Sequence, residues 1–163
     1  MINLPNIKKV FEIPTIEGKY VIDIPSIELK PGSILLLRGE ASTSRNIYLR
    51  IISKNIVPDS GTIPEMDIAS KCKKFFINNP EKIKKSELQL SCIGKCFLEK
   101  KTVFIFDEPC AFLSEQESIQ IANSISNFIV QNDKIGIISS NHPILLSIAD
   151  NIIDFPTNIL EKI

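Results

Sequence analysis

The sequence predicts an α/β domain built on a mostly parallel sheet, with a small antiparallel part at its N-terminal end. Two unbroken apolar runs, residues 33–38 (SILLLR) and 103–106 (VFIF), have the composition of strands covered on both faces. Segments with helical apolar spacing lie between and after these runs, and strands alternating with helices imply parallel pairing. The first part of the chain differs, because apolar and polar residues alternate there as in half-exposed antiparallel strands. A chain of 163 residues suits one domain, read as residues 1–163.

In chain order, residues 10–13, 20–24 and 26–29 read as short strands, with Glu17-Gly18 and Pro31-Gly32 as turn signals. Residues 33–38 form a buried strand. Gly39 follows, then the polar stretch EASTSRN, then a helix over 47–52 with Leu49, Ile52 and Ile56 at helical spacing. Strand, glycine-opened loop and helix is the layout of a phosphate-binding P-loop. Residues 58–61 (PDSG) are a turn, and 62–69 read as a short edge strand. Residues 86–101 read as a helix with Leu88, Cys92, Cys96 and Phe97 on one side and Ser86 as its cap.

Residues 102–109 (TVFIFDEP) form the central strand, which Pro109 ends after two adjacent carboxylates, Asp107 and Glu108. In open α/β sheets chemistry sits beyond the carboxyl ends of strands. The segment therefore reads either as a Walker B motif, one carboxylate for Mg²⁺ and one for water, or as a buried strand leaving through an acidic loop. Residues 114–131 form the clearest helix. Ser114 caps it with Glu117 three residues on, and Ile121, Ile125, Phe128 and Ile129 face inward. Residues 134–139 are another buried strand, ending at SSNHP, which places His142 beside the acidic pair. A short helix over 144–149 and a strand over 151–155 complete the pattern.

Composition narrows the function classes. Apolar content of 44% with 23% charged residues is that of a globular protein. No apolar run approaches the roughly 18 residues of a membrane span, and no leader pattern opens the chain, so a cytoplasmic protein is expected. Net charge is zero, which leaves nucleic-acid affinity to local patches. One such patch runs from Lys71 to Lys85 (KCKKFFINNPEKIKK), with six lysines against one glutamate. It reads either as a solvated loop or as an RNA or phosphate contact, with Phe75 and Phe76 as core anchors or stacking groups. Four cysteines, with one histidine and no CxxC, argue for reduced thiols over a disulfide scaffold or metal cluster.

The Gly39 loop, Asp107-Glu108 and His142 come in the order of an ABC-type ATPase core, which the whole chain resembles. Residues 87–113 (ELQLSCIGKCFLEKKTVFIFDEPCAFL) are similar to the region after the signature motif in the RNase L inhibitor family of ribosome-recycling ATPases. Ser114-Glu115-Gln116, Phe128-Ile129 and VPDSGTIPEMDIA continue the likeness, especially to that family's second nucleotide-binding domain. The resemblance implies a P-loop NTPase-like ABC core, ATP and Mg²⁺ as ligands, and ribosome-linked biology. It implies Gly39, Ser42, Ser44, Arg45 and Asn46 around the nucleotide, Asp107 on the metal, and Glu108 and His142 as catalytic groups.

The departures from that pattern are extensive. In the frame G-x-x-x-x-G-K-[ST], the second glycine, the lysine and the hydroxyl are replaced by Ser44, Arg45 and Asn46. If Ser44 kept the glycine conformation, it would cost about 1–2 kcal/mol, and Arg45 is a bulkier, planar stand-in for lysine. Leu-Ser-Gly-Gly of the signature is replaced by Ile83-Lys84-Lys85-Ser86, the Q-loop glutamine by Lys73, and an aspartate by Ser114. The segment from 61 to 86 is too short for the family's helical subdomain, and its iron–sulfur domain has no counterpart. The reading that follows is a non-hydrolysing binding module that contacts a ribosomal subunit or RNA through Lys71 to Lys85. The alternatives are a weak or partner-completed ATPase, with Arg45 in place of the lysine, and a subunit of a homodimer or of a heterodimer with an intact ABC protein.

Overall fold

The computed structural model describes residues 1–13, 18–40, 42–69, 84–155 and 160–162. The two apolar runs become β5 (Ser33–Arg38) and β6 (Val103–Asp107), which flank β7 (Ile135–Ser139) in a parallel sheet of order β6-β7-β5-β8, with β8 at Asn151–Asp154. Register brings Leu36 opposite Ile138, Phe106 opposite Ile138, and Asp107 opposite Ser139. Asp107 therefore emerges at the carboxyl edge beside the end of β7.

Strand alternation sorts the core into two layers. Leu35, Leu37, Ile105 and Ile137 face one side, where they meet Tyr48, Leu49, Ile51 and Ile52 of α1 (Ser42–Ile52). Residues from the N-terminal strands β1 (Ile2–Leu4), β2 (Ile7–Ile13) and β3 (Gly18–Ile24) join that layer, among them Leu4, Ile7 and Ile22. Ile34, Leu36, Phe104, Phe106 and Ile138 face the other side, against Ile93 of α2 (Lys85–Phe97) and Ile121, Ile125 and Ile129 of α3 (Glu115–Gln131). Phe97 of α2 stacks on Phe128 of α3 with centroids 4.4 Å apart. Each such side chain buried in full contributes about 1.5–3 kcal/mol. The expected inward face of α3 is thus formed, with half-buried Phe128 joining the helices at its border.

The antiparallel part has the order β2-β3-β9, where β9 is Leu160–Lys162, and β1 pairs separately with β4 (Ile27–Leu29). Both β1 and β9 are too short to leave an alternation pattern in sequence. Among the described residues, no helix is long and apolar enough to cross a membrane.

Several expected boundaries differ. Residues 62–69 make a bridge from Ile68 to Val103 rather than an edge strand; the Ala69 N–H reaches the Val103 carbonyl at 2.8 Å. The segment thus lines the edge of β6 for one ladder step only. Ser86 lies inside α2, whose cap residue Lys84 makes no side-chain cap bond. The buried face of α2 is Gln89, Ile93 and Cys96, rotated away from Leu88, which is half-buried. Residues 143–148 are a 3₁₀ helix (Pro143–Ile148) rather than an α-helix, with Pro143 in its first turn.

Candidate functional site

The carboxyl ends of β5, β6 and β7 converge, and the loops leaving them hold most of the expected site residues. Gly39 has φ +118°, and a Cβ there would lie 2.0 Å from the Phe155 carbonyl oxygen. Its N–H donates to Asn141 Oδ1 at 2.8 Å, and its carbonyl accepts from Asn141 Nδ2 at 3.0 Å. The first glycine of the loop is therefore held by its own neighbours, with its N–H already spent.

Helix α1 begins at Ser42, five positions before the apolar spacing starts at Ile47. Ser44 sits within the helix, and the positive-φ residues do not include it. The condition for strain at Ser44 is therefore not met: the residue is helical, and no left-handed conformation is needed there. Ser44 is buried, and its hydroxyl is hydrogen-bonded to the Tyr20 hydroxyl from β3, away from the acidic pair.

Arg45 is 5% exposed and turns the other way. Its Nη2 donates to Glu108 Oε1 at 3.2 Å, while Nε and Nη1 are buried without partners among the described residues. Glu108 is fixed from several sides. It has φ +52°, its N–H donates to the Ser139 carbonyl at 2.8 Å, and its Oε2 accepts from the Ser140 hydroxyl at 2.7 Å. Arg45, Asp107 and Glu108 line a cleft of about 390 Å³ together with Thr43, Asn46 and Arg50. Asn46 is exposed and lies on the border with a second hollow of about 760 Å³, shared with Arg50 and Asp107.

The other expected residues are placed differently. His142 is half-buried and is not among the described residues lining the cleft; its Nδ1 is buried without a partner among the described residues. Its backbone N–H reaches the Ser140 hydroxyl at 3.2 Å, so it touches the site through Ser140. Cys110, just past Pro109, is buried, and that burial pushes its thiol up to about 11, which keeps it protonated. Most of the Lys71 to Lys85 patch, with Phe75 and Phe76, lies outside the described residues. Its last two members are described and exposed, and Lys85 Nζ lies 5.1 Å from the Phe112 ring centroid.

Sequence reasoning missed Ser140, Asn141, Tyr20 and Arg50. The first two had a signal, since SSNHP is a polar run at the end of a fully buried strand. Tyr20 and Arg50 had none that distinguished them from ordinary surface residues.

No protein-family model matches the chain. A solved ATP-binding cassette, described as dimeric, post-hydrolysis and bound to ADP and phosphate, superposes with a TM-score of 0.76. That match covers 99% of this chain and 98% of the other, at 12% identity. The fold is ABC ATPase-like. A structure described as RNase-L inhibitor agrees, with a TM-score of 0.78 over 97% of this chain and 37% of that one, at 14% identity. Among curated proteins, translation initiation factor RLI1 of Saccharomyces cerevisiae is 21% identical over 93% of the chain. The chain spans only 30% of that relative's length. The expected fold class is thus borne out, with a parallel four-stranded sheet, small antiparallel strands and few helices.

Within the ABC fold, Asp107, the carboxylate expected on Mg²⁺, lines this cleft and would hold the ion beside Asn46. That ion takes a tight octahedron of oxygens. Here one carboxylate, Glu108, is committed to a guanidinium and a serine, and the hydroxyl position is occupied by exposed Asn46. Among the described residues, no group of three His, Cys, Asp or Glu side chains is placed to hold a metal ion.

Proposed function

We propose that this chain is an ABC-type nucleotide-binding domain that does not hydrolyse ATP and works as a binding module. One observation carries the reading: Arg45, in the lysine position, is turned onto Glu108, in the position of the water-activating carboxylate. Phosphoryl transfer depends on positioned charges. This contact takes two of them out of use together. The deciding experiment is a phosphate-release assay on purified chain with ATP and Mg²⁺, beside Glu108→Gln. The expected result is no turnover above the Glu108→Gln background. Turnover that this substitution abolishes would establish the rival reading, a weak or partner-completed ATPase, which the shared cleft of Asp107, Glu108 and Arg45 favours.

The likeness to RLI1 supports a partner in the translation machinery, and we propose a ribosomal subunit or its RNA, in the cytoplasm. The contact runs through the lysine-rich stretch that ends at Lys84 and Lys85. Lys82, Lys84 and Lys85 changed to Ala together should weaken co-sedimentation with ribosomal subunits and flatten its salt dependence. Unchanged co-sedimentation would remove that surface from the proposal. The dimeric state of the solved cassette supports a further arrangement, pairing with a second copy or with an intact ABC protein.

A further inference from the structure

We propose that the outer face of α3 is a docking surface for a second copy of this chain, paired antiparallel about a two-fold axis. This face belongs to the opposite layer from α1, which lines the cleft, so the contact needs no nucleotide.

Charge is missing from the face. Residues 118–131 contain no Asp, Glu, Lys or Arg, in a chain that is 23% charged, yet α3 is exposed along its whole length on one side. Exposed helix faces ordinarily carry such residues, which hold them in water. Here Ile119 is 41% and Val130 55% exposed, with asparagine, glutamine and serine around them. The core does not need these two, because Ile121, Ile125 and Ile129 already supply its contact with α3. The 3₁₀ helix Pro143–Ile148, packed beside α3, adds exposed Leu146 and no charge.

The order of residues on the face fits a copy of itself. Ile119, Asn123, Ser126 and Val130 follow at steps of four, three and four, which sets them in one line along α3 with the spacing of a helix–helix seam. An antiparallel copy centred between Ser124 and Ile125 brings Ile119 against the partner's Val130 and Asn123 against the partner's Ser126. Symmetry makes each of these pairs twice. The same register brings Glu115, exposed at the start of α3, against the partner's Lys134 just past its end. Among the described residues, neither Glu115 nor Lys134 has an ion-pair partner. Apolar, polar and charged pairs thus coincide in one register, and the two helix dipoles oppose each other.

Other occupants suit the face less well. An Asn or Gln amide both donates and accepts, so a neutral amide face is complementary to itself. A charged surface would lose its hydration against α3 and find no counter-charge along residues 118–131. A lipid surface would meet Asn123 and Asn127 within the apolar line and no basic residue on that stretch. The seventeen residues of α3 span about 25 Å. A seam of that length belongs with the small, transient interfaces that bury under about 1,200 Å². The second copy is therefore held weakly.

The test is sedimentation velocity on the purified chain, from about 10 µM to about 1 mM, without nucleotide. A reversible shift from monomer towards dimer is expected across that range. Ile119→Asp and Val130→Lys, both at exposed positions, should each weaken association about tenfold or more, because the seam then buries an unpaired charge twice. The two together should restore it, since every new carboxylate faces a new ammonium of the partner. Thermal melts establish that each variant is folded. If either single variant fails to fold, Asn123→Lys at the middle of the seam replaces it, and undiminished association there overturns the proposal. A monomer at every concentration overturns it, as does a dimer indifferent to both single changes. Failure of the double variant to recover overturns the antiparallel register. A dimer that forms only with ATP also overturns the proposal and assigns the pairing to the nucleotide cleft.

Discussion

At residue 39, an added methyl group would sit 2.0 Å from the carbonyl oxygen of Phe155, on a backbone already at φ +118°. Neither the backbone of Phe155 nor a side-chain residue at that φ can yield cheaply. Gly39→Ala should therefore destabilise the protein by roughly 3 kcal/mol in urea unfolding, with no ligand present. If phosphate contact alone explained this glycine, stability would be unchanged. The sequence suggested Gly39, Arg45 and Glu108 as candidate site residues, and all three lie at the carboxyl edge of the sheet. It could not show that Arg45 turns onto Glu108, because that contact joins residues 63 apart and depends on strand order. Nor could it show that Ser44 lies in a helix, since the apolar spacing starts only at Ile47 while the helix begins at Ser42.

Helix α3 is the element whose local and tertiary signals agree. The Ser114 hydroxyl accepts from the Glu117 N–H at 3.3 Å, and Glu117 accepts from the Ser114 N–H at 2.7 Å. Ser114→Ala should cost about 1 kcal/mol of stability in thermal melts. That backbone bond, then the Ser114 hydroxyl, holds the Glu117 carboxyl below the usual glutamate range. A depressed folded-state value stabilises the protein when the group is ionised. The contribution is present above the ordinary glutamate range and disappears as pH falls through the depressed value. Wild type should accordingly exceed Glu117→Gln in melting temperature at about pH 6 and match it near about pH 2. Helix α2 shows the opposite case. Its inward face, Gln89, Ile93 and Cys96, includes a fully buried glutamine whose amide has no hydrogen-bond partner among the described residues. No apolar-period reading selects that face, which is why the sequence placed Leu88 inward.

Over the whole molecule, the two hydrophobic layers share one sheet, so neither can unpack while the other stays intact. We expect residues 1–163 to unfold as one unit, with far-UV dichroism and tyrosine fluorescence giving coincident denaturant curves. Leu36→Ala, at a fully buried position on the central strand β5, should lower stability by about 2–5 kcal/mol without separating the two curves. Separate transitions would divide the chain into two domains. The class of fold was legible because buried strands and amphipathic helices alternate along the chain. The order β6-β7-β5-β8 was not, because uniformly apolar strands carry no record of their neighbours.

The clasp between Asn141 and Gly39 has a consequence for timing. One amide both donates to and accepts from the same residue, so it pins two loops in register as a dowel aligns two plates. The loop after β5 and the loop after β7 should then open together, and the Gly39 amide hydrogen should exchange with solvent only as often as the His142 loop swings away.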